Sequence, residues 1–512
     1  MTGTRASHTV IALPETRLAD AAQTPATGRR LSPRTRLFYG FGSIAFGVKD
    51  SGFSYFLLIF YNQVMGLPAS TVGLAIMIAL FVDAFLDPIV GQISDNWRSK
   101  WGRRHPFMYA AALPVALSYL LLWNPPAGWS DQALFLYLIA VAILIRSFIT
   151  LYEIPSAALA AELTSEYDER TRLLSYRYLF GWIGGLAMVF TALYVFLKPD
   201  EASSVGQLAR KGYTDYGLAA GAVMFVAIMV SALGTHRQIP HLRNPPDRRL
   251  SLPTFVREMI GTLANGSFLA VLGSSLFNAA AVGVVFSMSL YFNTFFWEFD
   301  ARRIALLTGA NLLAAICAFV AAPALSRRFG KRNSAQALSG SAMIFLCAPI
   351  VLRLVDAFPP NGSTVLFPAI FLLQVFSTAL AVSGTILQSS MIADVVEDSE
   401  LRTGRRSEGL FFAAAAFVNK AVTGVGIFTS SALLAAIGFP AGAQPGQVSP
   451  EVVRNLGLVV VPTLAILYGL CVACLVGYRI TRASHQASLQ RLAAAADLVK
   501  EPEPPAAEGR PF

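Results

Sequence analysis

Charge is scarce in this sequence: Asp, Glu, Lys and Arg make up 14% of its 512 residues, against roughly 25% in an ordinary soluble domain. A water-soluble core of this size would need far more polar surface, so a large soluble protein is excluded. Histidine is as sparse. The five, His8, His105, His236, His241 and His485, fall in expected tails and loops without metal-ligand spacing, and no nucleophile stands beside a base. An intramembrane hydrolase or glycosyltransferase is therefore disfavoured. The four cysteines, Cys317, Cys347, Cys471 and Cys474, all lie in apolar stretches. Cys471 and Cys474 have CxxC spacing, but inside an apolar helix this reads as packing, not redox chemistry. There is no repeated filter loop, which argues against a channel, and the tails are too short and low in complexity for the soluble domain that a sensor is expected to carry. A signal peptide is not expected either, because residues 1–35 are polar and TVIAL is too short for its apolar core.

What the chain has in abundance is apolar residues, 55% of the total, with a mean hydropathy of +0.55. Stretches of about 20 such residues, enough to cross a hydrocarbon core as helices, recur along its whole length. We place twelve at 37–63, 70–94, 107–124, 132–158, 174–197, 215–236, 266–297, 302–325, 335–355, 364–392, 410–438 and 455–478. The runs are continuous, not alternating, which favours an all-α membrane protein over a β-barrel. The net charge of +10 points to a bilayer partner, not a nucleic acid, because the basic residues gather in alternate connections. Arg98, Lys100, Arg103 and Arg104 follow the second span, and Arg327, Arg328, Lys331 and Arg332 follow the eighth, while 64–69, 125–131 and 356–363 carry no Lys or Arg. The positive-inside rule then puts both termini in the cytoplasm, for a multi-pass protein of a bacterial inner membrane.

The chain divides near its middle. Residues 1–35 read as a disordered cytoplasmic tail, 36–236 as a six-helix bundle, 237–263 as a basic cytoplasmic linker with a short amphipathic helix at 251–263, 264–480 as a second bundle, and 481–512 as a tail. Two loop pairs repeat between the halves. WGRRHPF after the second span matches FGKRNSA after the eighth, with Gly102 and Gly330 equivalent. AELTSEYDERTRLLS after the fourth matches ADVVEDSELRTGRRS after the tenth, so Glu162, Asp168, Arg170, Thr171 and Ser175 align on Asp394, Glu400, Arg402, Thr403 and Ser407. Two six-helix halves related by an axis along the membrane normal describe the major facilitator architecture. On this reading Asp95, Arg98, Arg103, Arg104, Arg327 and Arg328 are expected to pair across the halves and act as a cytoplasmic gate.

An ionisable side chain inside a span is costly unless paired or solvated, and six stand out: Lys49, Asp50, Asp83, Asp87, Glu153 and Lys420. Asp83 and Asp87 are four apart and share a helix face about 6 Å along the axis; Thr150 and Glu153, three apart, share another. Three carboxylates and a hydroxyl suit Na⁺ as hard oxygen ligands, and equally suit a proton. Lys420 lies ~15 Å deep in its helix, where it is expected to compete with the cation for the acid pair or to contact substrate. Pro88 and Pro155 follow the acids closely and are expected to bend their helices there. Gly181, Gly184 and Gly185 are expected to permit close helix packing.

The ordered set YGFG…FGVKD, VDAFLDP, RSKWGRRHP, YEIP, YR, IADVVEDSE and Lys420 resembles the glycoside–pentoside–hexuronide:cation symporters and the related lysolipid symporters, over essentially all twelve spans. The resemblance implies a secondary active transporter, not an enzyme, that couples uptake of a small organic solute, a sugar or glycoside, to Na⁺ or H⁺, with a lysolipid as the alternative solute. It implies no cofactor beyond the coupling ion. It assigns Asp83, Asp87, Thr150, Glu153 and Lys420 to the cation site, with Na⁺ at Asp83, Asp87 and Glu153, and Lys49, Asp50, Glu153, Arg177 and Lys420 to the substrate. A monomer is expected. The sequence departs from the family at Leu86, where the family has an Asn, at Ala157 and Thr385, where it has tryptophans, and at Ala415 and Ala416, where it has a polar pair. An amide ligand, a stacking surface and hydrogen-bonding capacity are lost at these positions.

Overall fold

A computed structural model describes residues 31–164, 167–199, 203–242, 265–403, 408–481 and 484. Among these residues the chain is helical throughout, with twelve helices long and apolar enough to cross a membrane. They are α1 (Pro33–Val64), α2 (Ala69–Asn96), α3 (His105–Leu122), α4 (Asp131–Leu163), α5 (Tyr167–Thr191), α6 (Arg210–His236), α7 (Gly266–Phe296), α8 (Ala301–Phe329), α9 (Lys331–Leu354), α10 (Leu366–Thr403), α11 (Glu408–Ala436) and α12 (Pro450–Cys474). The twelve expected spans are all present. The expected amphipathic helix at 251–263 and both expected tails lie essentially outside the described residues.

Helix ends follow local chemistry. Ser32, Ser130, Asp300 and Ser449 cap the starts of α1, α4, α8 and α12, each side chain accepting a hydrogen bond from a backbone N–H of the first turn, which meets a donor otherwise unpaired at a helix start. Gly102 and Gly330, the two glycines of the repeated loop, both adopt positive φ, +73° and +80°, a conformation that favours glycine over any residue with a β-carbon. Three further features stand out. α10 continues through Asp394 to Thr403, so the second copy of the repeated acidic segment is helical. Pro88 and Pro155 lie inside helices that run on beyond them. Wider π-helical turns occupy Gly52–Phe56 and Phe60–Val64 in α1, Ala192–Phe196 after α5 and Phe292–Phe296 in α7; hydropathy carries no signal for them.

The glycines expected to pack closely do so. A β-carbon on Gly181 would press on the Phe46 ring, one on Gly184 would collide with Ile44, and one on Gly47 would fall on the carbonyl of Gly181, so α1 and α5 meet backbone to backbone. α7 and α11 do the same in the second half, where a β-carbon on Gly426 would strike the carbonyl of Ala280. The halves join most extensively along α2 and α11, with Gly73 against Ser431 and Gly424 against Leu80.

At the end away from the basic connections the halves are stitched by neutral groups. Tyr291 Oη donates to Asn62 Oδ1 at 2.7 Å, Gln63 Nε2 to the Pro440 carbonyl at 3.0 Å, and the Ala443 N–H to Gln63 Oε1 at 2.9 Å. Gln207 Nε2 reaches Thr294 Oγ1 at 3.1 Å and the Phe299 carbonyl at 3.0 Å. The outer turns of α1 and α7 are buried there, whereas Asp50, Ala157 and Thr385, nearer the basic end, are exposed.

Candidate functional site

The site is built where α2 packs between α4 and α11. α2 presents Asp83 and Asp87 one turn apart; α4 presents Arg146, Thr150 and Glu153, spaced four and three, on the facing stripe. Arg146 Nη1 donates to Asp83 Oδ2 at 2.7 Å, and Thr150 Oγ1 lies 3.1 Å from both Asp83 Oδ1 and Asp87 Oδ1. Lys420 enters from the second half: its Nζ is 2.5 Å from Asp87 Oδ2 and 3.6 Å from Asp83 Oδ2. Two carboxylates thus face two cations. Asp83, Arg146 and Thr150 are fully or nearly fully buried, and in such surroundings unpaired charges would not persist.

Of the residues expected in the cation site, the structure brings together Asp83, Asp87, Thr150 and Lys420. Glu153 lies close enough to interact electrostatically with Lys420, Asp83 and Asp87. Its Oε2 is buried without a hydrogen-bond partner, and its backbone carbonyl accepts from Arg177 Nη2 at 3.2 Å. Among the described residues no three His, Cys, Asp or Glu side chains converge as metal ligands.

On the expected substrate side, Lys49 Nζ and Asp50 Oδ1 pair with each other at 2.6 Å, Lys49 buried and Asp50 exposed. Arg177 donates to Ser156 Oγ at 2.7 Å and stacks on the Phe46 ring at 4.7 Å. Arg146 was absent from the sequence-derived site, though its spacing from Thr150 and Glu153 was the available signal. Its guanidinium also lies 4.7 Å over the Phe53 ring. The second half adds a neutral cluster: Asn311 donates to Tyr55 Oη across the halves at 3.1 Å and accepts from Gln374 at 3.2 Å.

In this arrangement the residues of the expected gate make the following contacts. Arg103 and Arg104 both donate to Glu162 Oε1, at 2.7 and 2.8 Å; Arg104 also pairs with Asp95 and donates to Ser94 Oγ at 2.6 Å. All these partners belong to the first half. Arg327 bonds its own helix at the Pro323 carbonyl, Arg328 lies over the Phe329 ring, and Arg98 is exposed on the connection after α2. The turn that carries Arg103 and Arg104 directs them onto the nearest helix ends, those of α2 and α4. The repeat reappears in three dimensions, since Lys331, one residue after Gly330, pairs with Asp394 at 2.6 Å as Arg103 pairs with Glu162. His105 and His236 are corrected: they are helix-end residues, with ring centroids 5.8 Å apart. Cys471 is buried, its Sγ 3.2 Å from Ser274 Oγ, and both it and Cys474 are free thiols.

Residues 38–482 match the family described as MFS/sugar transport protein. An uncharacterized symporter of Synechocystis is 27% identical, over 91% of this chain and 98% of its own length. The mouse sphingosine-1-phosphate transporter MFSD2B is 28% identical, over 86% and 89%. Among solved structures, the nucleoside transporter NupG aligns with a TM-score of 0.58 at 13% identity, over 86% of this chain and 98% of its own, which is a likeness of fold. The chain belongs to the MFS/sugar transport family, in the branch of the cation symporters that its motifs resemble, and is a multi-pass membrane transporter, not an enzyme.

Proposed function

We propose that the protein is a secondary active symporter that moves a small organic solute, a sugar or glycoside, together with a monovalent cation by alternating access. The observation that carries this reading is the contact of Lys420, from the second half, with Asp87, from the first, inside the membrane. A ligand that changes the charge balance of this cluster changes the contact between the halves. A cation and a solute that favour the same arrangement then bind with reciprocally linked affinities. The halves are held together at the end away from the basic connections, with exposed polar groups such as Asp50 toward the other, as an alternating-access cycle requires of one of its states. The positive-inside rule makes the open side cytoplasmic, in a bacterial inner membrane with both termini inside.

Lys49, Asp50 and Arg177 flank the solute path beside the cluster, and the family's description favours a sugar. A second reading, an amphipathic lysolipid, is favoured by a specific observation: Ala157 and Ala416 are exposed and apolar where the family has groups that grip a sugar. Uptake by reconstituted vesicles over a panel of sugars, glycosides and lysolipids, under imposed Na⁺ and pH gradients, separates the two. Asp87→Asn is expected to abolish gradient-driven accumulation while leaving solute counterflow intact. Undiminished accumulation by that variant would remove the acid cluster from coupling.

A further inference from the structure

The acid cluster contains a cation that the motif reading did not supply. Asp83 Oδ2 receives Arg146 Nη1 at 2.7 Å, Asp87 Oδ2 receives Lys420 at 2.5 Å, and the remaining oxygen of each carboxylate lies 3.1 Å from the Thr150 hydroxyl. One oxygen of each carboxylate is therefore held by a cation, the single Thr150 proton is shared between the other two, and the two cations balance the two charges of the Asp83–Asp87 pair. A sodium ion needs several oxygens in its shell and would add a third positive charge to this space. A proton needs one oxygen and no shell.

Arg146 is fixed in a way that Lys420 is not. It is buried, its guanidinium is stacked on Phe53 at 4.7 Å, and it belongs to the same half as Asp83, so opening and closing of the halves does not separate the pair. Lys420 bridges the halves and is free to leave. Leu86, beside the acids, offers no oxygen in compensation.

We propose that Arg146 is a built-in counter-cation that fills the place of a coupling ion at Asp83, excludes Na⁺ from the site, and leaves the proton as the ion this transporter exchanges. The inference rests on the symport reading and sets its cation specificity. The charged groups around the exchanging site are Lys49 of α1, Asp83 and Asp87 of α2, Arg146 and Glu153 of α4, Arg177 of α5 and Lys420 of α11. The proton enters at Asp87, whose lysine partner moves with the halves, or at the unpartnered Oε2 of Glu153.

The test uses Na⁺ alone as probe and needs no solute, so its result is independent of whether any solute is transported. Purified full-length protein is unfolded thermally in NaCl and in choline chloride at equal ionic strength. The wild type is expected to melt at the same temperature in both salts. Arg146→Gln is expected to gain stability in NaCl by several degrees, as a ligand that binds only the folded state confers, and to lose that gain when Asp83→Asn is added. Arg146→Lys, which keeps the charge, is expected to remain indifferent to Na⁺. A wild type stabilised by Na⁺, with the effect removed by Asp83→Asn, overturns the proposal, as does an Arg146→Gln variant that folds and stays indifferent. Should Arg146→Gln not fold, the wild-type comparison still decides, and R146Q/D83N, which removes both charges, is expected to fold again; R146Q/D83N failing where D83N folds would count against the Arg146–Asp83 pairing.

Discussion

The two halves descend from one pattern, yet they differ most where they face each other. At the basic end the pattern is kept. A positive-φ glycine turns the chain, the next residue is a cation, and that cation finds an acid at the end of the fourth helix or within the last third of the tenth: Arg103 with Glu162, Lys331 with Asp394. At mid-membrane the halves part company. The first concentrates Asp83, Asp87, Arg146 and Glu153, whereas the second offers Asn311, Gln374, Gln388 and the single Lys420 among its described residues. Even the matching end differs in chemistry, for buried Glu162 accepts from two guanidinium groups, whereas the contacts of Asp394 include a partly exposed ammonium and the Tyr478 hydroxyl at 3.0 Å. Contacts that only hold a bundle together survive duplication; charges that do work need be present once.

The comparison breaks most visibly at Glu162. Glu162→Gln leaves Arg103 and Arg104 buried without their shared anion, and loss of about 3–5 kcal/mol is expected, read as a lower midpoint in denaturant unfolding of the reconstituted protein. Gly47→Ala forces α1 off α5 and is expected to cost about 1–3 kcal/mol, with a similar loss for Gly426→Ala between α7 and α11 if backbone contact matters equally in both halves. Thermal melting of the two variants compares them directly. Asp394→Asn, the counterpart of the first change, is expected to cost about 1–2 kcal/mol because Lys331 can turn to solvent. Asp95→Asn should fall near zero, about 0.5 kcal/mol at most, since its side chain is 58% exposed. Equal losses at Glu162 and Asp394 would mean that the two ends are equivalent after all.

Much of this was legible in the sequence. Twelve apolar runs set the helices, two repeated loops set the halves, and the isolated charges, with Thr150 by its spacing from Glu153, named four of the five residues that converge at the acid cluster. Arg146 has no place in the sequence-derived site because an arginine within an apolar span does not announce its partner, although its spacing from Thr150 and Glu153 places all three on one stripe. The pairing of Arg103 and Arg104 within their own half was likewise hidden, because alternate charged loops say which side of the membrane a residue occupies and nothing about which neighbour it reaches. The extension of α10 past Asp394 looked like a loop because its residues are polar, and a helix that leaves the hydrocarbon core has no further need of apolar side chains.

The seal at the end away from the basic connections, made by Asn62, Gln63, Tyr291 and Gln207, consists of amides, hydroxyls and carbonyls; no ion pair crosses it among the described residues. Dissolved salt weakens attractions between charges and leaves neutral hydrogen bonds nearly untouched. The closed arrangement therefore keeps the same weight in dilute and in briny surroundings, and a cell that meets swings of salinity has at that end a latch whose setting does not drift with them.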